Sequence, residues 1–173
     1  MLFRSEIGED AVNRGLRSLL AKFAFKGAPY PTSLDLVAAI RAEAPADKQG
    51  LITDLFEKIT LYDLKTKAMV VTKRKDGRYD VTLTIEAKKL YADGKGKETA
   101  SPMAEMLDVG LFTVMPGDKA FDAGKVVLMA RRPIRTGTQT LTFTVDKAPK
   151  YGGVDPYNYL IDRNSDDNLL KAG

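Results

Sequence analysis

The residues best placed to do chemistry lie near the C-terminus, in Asp162-Arg163-Asn164-Ser165-Asp166-Asp167-Asn168. Oxygen-bearing side chains at alternate positions are how a calcium loop begins, because a hard cation takes several carboxylate and amide oxygens at once. Asp162, Asn164 and Asp166 are therefore the candidate metal ligands. The loop is incomplete. Asp167 stands where it needs glycine for a sharp turn, and Ala172-Gly173 ends the chain where a bidentate glutamate belongs. Asp, Asn and Ser also bond their own backbone in Asx-type turns, which explains the segment without an ion.

Two basic groups are the candidate binding residues. Lys73, Arg74, Lys75 and Arg78 flank one turn, with Lys88 and Lys89 across from it. Such a patch suits phosphate or a membrane surface, but it serves equally as solubilising charge that keeps a sheet edge from pairing. Arg131 and Arg132 suit a carboxylate, and suit cross-strand ion pairing at least as well. Glu98, Glu105 and Asp108 have no partner at a spacing that argues acid–base work. The chain has no His and no Cys, which removes histidine-based catalysis, disulfides and Cys/His zinc sites. No Ser-x-x-Lys motif and no glycine-rich phosphate loop occur.

The elements that must position these residues divide at about residue 60. Val12, Leu16, Leu19, Leu20 and Phe23 recur at helical spacing and predict an amphipathic helix over 8–25, interrupted by Gly15 and stopped by Gly27 and Pro29. A second helix is expected over 33–44, capped by Thr32 or Ser33 with Asp35 in its first turn. A third is expected over 47–58, capped by Asp47, with Leu51, Ile52, Leu55, Phe56 and Ile59 as its apolar stripe.

From 60–65 the period changes from helical to extended. Tyr79, Val81, Leu83, Ile85 and Ala87 alternate with Asp80, Thr82, Thr84 and Glu86, which marks a strand with one dry face. Asp76-Gly77 upstream is a hairpin signal, so 68–74 is the partner strand. Positions 92–101 read as a polar loop. Further strands are expected over 107–115, over 125–134 with an end at or just after Pro133, and over 139–146. The tail from 147 should be ordered but irregular up to about Asn168, with Tyr151, Tyr157, Tyr159, Leu160 and Ile161 docking on a sheet. The reading is an α+β chain: about three short helices over 1–60, then an antiparallel immunoglobulin-like β-sandwich over 61–173.

With 173 residues, 44% hydrophobic and 29% charged, the chain can bury a real core. A formal net charge of +4 is too weak to require a nucleic-acid partner. No apolar run approaches a membrane span.

Several phrases together resemble one family. They are Ile7-Gly8-Glu9-Asp10-Ala11-Val12-Asn13, Pro29-Tyr30-Pro31-Thr32-Ser33-Leu34-Asp35, Leu51-Ile52-Thr53-Asp54-Leu55-Phe56-Glu57 and Ile59-Thr60-Leu61-Tyr62-Asp63. Val154-Asp155-Pro156-Tyr157-Asn158 and Leu160-Ile161-Asp162-Arg163 complete the set. They resemble the C-terminal region of bacterial aminopeptidase N-like zinc metallopeptidases (gluzincins), of the kind fused to multi-span, ABC-transporter-permease-like membrane segments. That family's zinc site is a His-Glu-x-x-His helix with a downstream Glu, and no position here matches it. The resemblance therefore implies a chain that is not an enzyme by itself, with no cofactor of its own, zinc belonging to the rest of the parent. It implies a structural or substrate-positioning accessory domain, with the rest of that parent as partner, at a bacterial inner membrane on the extracytoplasmic side. Two further expectations stand beside it: a homodimer through an exposed apolar helical face, and a stand-alone β-sandwich module that binds a peptide or protein.

Overall fold

The computed structural model describes residues 2–173, and the chain forms two compact units, Met1–Thr60 and Leu61–Gly173. The first holds α1 (Leu2–Ile7), α2 (Glu9–Phe23), α3 (Ser33–Glu43) and α4 (Gln49–Phe56). Gly8, at φ 99°, separates α1 from α2 in a backbone conformation that other residues rarely adopt. The helix expected from residue 8 is therefore preceded by an extra short one.

Helices α2 and α3 form an antiparallel pair. Arg14 Nε lies 2.7 Å from Glu43 Oε2 at one end and Lys22 Nζ 3.6 Å from Asp35 Oδ1 at the other. Thr32 caps α3: its hydroxyl accepts from the Asp35 N–H, and Asp35 Oδ2 accepts from the Thr32 N–H at 2.9 Å. That reciprocal pair satisfies two amides the helix cannot satisfy itself. The third expected helix begins with a 3-10 turn (Ala46–Lys48), and Asp47 makes no cap. Arg41 joins α3 to α4, donating to Gln49, Thr53 and Glu57. Ile7, Ala11, Val12, Val37, Ile40 and Ile52 form the small core of this unit.

The second unit is a β-sandwich of two four-stranded sheets. In the first, β2 (Tyr79–Ala92) is central. On one side lies β1 (Ile59–Lys73), and along the other run β6 (Gly137–Val145) and β3 (Glu98–Ser101). The second sheet has the order β5 (Val126–Arg135), β4 (Ala104–Phe112), β7 (Tyr151–Val154), β8 (Leu169–Lys171). Strand pairing in both sheets is antiparallel wherever register is defined.

The alternation in β2 explains the core. Val81, Leu83, Ile85 and Ala87 are fully buried. They meet Leu107, Val109 and Leu111 of β4, Ile134 of β5, Phe143 and Val145 of β6, and Val154 of β7 in one cluster. Three expectations need correction. Strand β1 starts at Ile59, nine residues before position 68. The polar loop expected over 92–101 shrinks to 93–97, because β3 pairs Ala92 with Glu98 and Lys89 with Ser101. The tail is irregular only in part, since β7 and β8 add two short strands. Strand β5 ends at Arg135, just after Pro133 as expected. As an edge strand, β5 has one side whose N–H groups face no neighbour, and proline is tolerated there.

Candidate functional site

Of the candidate metal ligands, one is committed to the backbone and two are exposed. Asp162 is half-buried and its carboxylate is committed to the backbone: Oδ2 accepts from Leu64 N–H at 3.2 Å and Oδ1 from Asn164 N–H at 3.1 Å. Asn164 and Asp166 are exposed. Asp167 reaches Lys65 Nζ at 3.0 Å. Among the described residues no group of three or more His, Cys, Asp or Glu side chains could hold a metal ion. The segment is the Asx-type turn its residue types allow, used here to fasten the tail to β1. Tyr62 N–H donates to Ile161 O at 2.9 Å, and Arg163 N–H donates to Tyr62 O at 3.1 Å.

The basic cluster is largely neutralised. Arg74 pairs with Asp76 and Asp80, and Arg78 with Asp76. The Asp80 carboxylate, bonded to it, raises the Arg74 pKa. Lys88 pairs with Asp63 and Glu86. Lys73 is exposed at the end of β1, beside this laced face.

Lys89 belongs elsewhere. It continues the inward alternation of β2, its side chain is 6% exposed, and its Nζ lies 2.7 Å from Glu105 Oε1 on β4. A lysine on the dry face of a strand is invisible to a count of basic residues. Spacing of Val81, Leu83, Ile85, Ala87 and Lys89 at every second position was the signal that could have placed it.

Arg131 and Arg132 are adjacent in a strand and so point to opposite faces. Arg131 lies opposite Asp108 on β4, 3.8 Å from its Oδ1, and donates to Met106 O at 2.6 Å. Arg132 turns inward, its guanidinium 5.2 Å from the Phe143 ring centroid.

What the fold does assemble is an aromatic cluster on the outer face of the second sheet. Phe112, at the end of β4, is fully buried although it faces away from the sandwich core. Phe121 covers it edge-on at 5.9 Å between centroids, Tyr157 covers it at 6.3 Å, and Tyr159 lies 6.0 Å from Tyr157. Gly110 is what lets the Phe112 ring fold back, since a Cβ there would run into that ring and the Met129 sulfur.

Asp155 holds the tyrosines in place. Its N–H donates to Asp108 O at 2.8 Å. Its Oδ1 and Oδ2 accept from Tyr159 N–H and Leu160 N–H, each at 3.0 Å. Burial raises the Asp155 pKa, against the opposing pull of these two amides. Burial also raises the Tyr157 hydroxyl, helped by Tyr159 and Asp108. Tyr157 and Tyr159 keep exposed ring surface, which suits stacking and hydrogen bonding rather than proton transfer. In the helical unit, Ser18, Leu19, Lys22, Phe23, Asp35, Ala38 and Ala39 line a shallow groove of about 160 Å³, smaller than the ~300 Å³ at which small-molecule pockets begin.

No protein-family model matches the chain. No curated protein matches it either. No helix among the described residues is long and apolar enough to cross a membrane.

Proposed function

We propose that this chain is a non-catalytic accessory module of an aminopeptidase N-like, membrane-anchored parent, with a structural or substrate-positioning role. The observation that carries the reading is what the resembling residues do. Asp155 and Asp162, one in each tail phrase, spend both carboxylate oxygens on backbone N–H groups. They fasten the chain to itself, which supports a likeness of architecture. The helical unit adds support. Among the described residues its core is six buried side chains, while Leu16, Leu55, Phe56 and Ile59 stay substantially exposed. A unit that small is marginal by itself, and further apolar cover would stabilise it.

The test is association in trans. The zinc-bearing catalytic region of such a peptidase, produced without its C-terminal end, is titrated with this chain by calorimetry and assayed on amino-acid anilides. Binding with a rise in kcat/KM is expected. Cleavage of the anilide by this chain alone with zinc, or no association at all, overturns the proposal.

A second reading, a stand-alone module that binds a peptide or protein partner, is favoured by one feature: the exposed Tyr157 and Tyr159 rings on a rigid sheet. Aromatic anchors of this kind dominate many interfaces. Retention of a proline- or aromatic-rich peptide, lost on Tyr157→Ala, would favour it over the first.

A further inference from the structure

We propose that the tip of the α2–α3 hairpin docks on the surface of an anionic phospholipid bilayer. The inference rests on this tip alone and is independent of the peptidase reading. Because α2 and α3 are antiparallel, the last turn of α2, the connection 24–32 and the first turn of α3 come together at one end of the pair. Leu20 is 62% exposed there, Tyr30 74% and Leu34 77%, and Phe25 is fully exposed. Phe25 also has φ 61°, a left-handed conformation unfavourable for a bulky residue. The backbone holds this ring out into solvent.

Charge selects the occupant. Positions 11–34 contain Arg14, Arg17, Lys22 and Lys26 and no acidic residue. Arg14 is paired with Glu43, and Lys22 lies beside Asp35, itself engaged in the Thr32 cap. Neither Arg17 nor Lys26 has an ion-pair partner among the described residues. A second copy would set these cations against themselves, which disfavours a dimer through the tip. Separate protruding apolar side chains also make a poor flat protein interface. They suit a bilayer, where Phe and Leu enter the acyl boundary, Tyr sits at headgroup depth and Lys or Arg meets lipid phosphate.

The experiment sediments the full chain with phosphatidylcholine vesicles, with and without phosphatidylglycerol. Binding to the phosphatidylglycerol vesicles is expected, weakening as salt rises. Phe25→Ser and Leu34→Ser should each weaken it about tenfold or more. Arg17→Glu with Lys26→Glu should remove the preference for the anionic lipid. Both substituted apolar residues are exposed, so circular dichroism melts should match the parent chain. Failure to bind phosphatidylglycerol vesicles, or undiminished binding by the Phe25→Ser/Leu34→Ser variant, overturns the proposal. So does a dimer that the same variant dissolves while vesicles leave it intact, since the tip would then serve a second copy.

Discussion

Gly15 of α2 lies so close to Ala39 of α3 that a Cβ at Gly15 would stand 2.9 Å from the Ala39 carbonyl oxygen. Helix propensity alone favours alanine over glycine at such a position by about 1 kcal/mol. The neighbour here is backbone and cannot swing aside. Gly15→Ala is therefore expected to destabilise the helical unit by about 1–3 kcal/mol, the usual cost of overpacking. Hydrogen exchange of the α2 and α3 amides is the right readout, because a chain of two units need not melt in one transition. Slower exchange in the variant would refute the close-approach account.

Asp155→Ala leaves the Tyr159 and Leu160 amides without their acceptor. Each unsatisfied buried donor costs about 1–3 kcal/mol. The expected result is a less stable sandwich, with the near-ultraviolet dichroism of Tyr157 diminished as it leaves Phe112. Asp166→Ala, at an exposed side chain of the same tail, should change stability by no more than about 0.5 kcal/mol. Equal effects at the two positions would mean that Asp155 is not the residue organising the loop.

These two positions show what could be read in advance. The dry face of β2 was legible because Val81, Leu83, Ile85 and Ala87 repeat with the strand period, and the start of α3 because Thr32 or Ser33 precedes Asp35 in the first turn, which left the choice of cap open. The first half of β1 was legible as a change to extended chain at 60–65. Its bonds to the tail were not, because Leu64 and Thr66 meet Asp162 and Asn168, 98 and 102 positions away. β7 is illegible for a different reason. Tyr151-Gly152-Gly153-Val154 has turn composition, yet side chains at Gly152 and Gly153 would collide with Leu111 and with the Asn168 backbone. The close packing of that strand requires the residues that disguise it. The aromatic cluster joins positions 112, 121 and 157, and no local pattern connects them.

The Lys89–Glu105 pair crosses from one sheet to the other with Lys89 almost wholly desolvated. Removing one partner of a buried pair costs about 3–5 kcal/mol, whereas replacing both partners by apolar side chains is often close to neutral. Glu105→Leu alone is therefore expected to be more damaging than Glu105→Leu combined with Lys89→Met. Urea denaturation of both variants checks the asymmetry, and similar losses would show that the pair is valued for packing rather than charge.

Asp155 and Asp162 both titrate above the ordinary 3.8, first because burial penalises their charge. For Asp162 the opposing bonds come from the Asn164 and Leu64 amides, and the nearby Asp167 charge pushes further upward. The folded chain thus holds these two protons more tightly than the unfolded chain. Their contribution is fully present below 3.8 and is lost as pH rises through the folded values. Asp35, Asp76 and Asp80 run the other way. Hydrogen bonds from Thr32, Arg78 and Thr144 respectively hold them low, so their contribution is lost only as pH falls through the folded values. Subtraction isolates the buried pair. Between about pH 4 and pH 7, the stability of the parent chain minus that of Asp155→Asn/Asp162→Asn should fall as pH rises. A difference that stays flat, or climbs, would mean that the two carboxylates are ionised in the folded chain as readily as in water, and that the backbone amides outweigh burial.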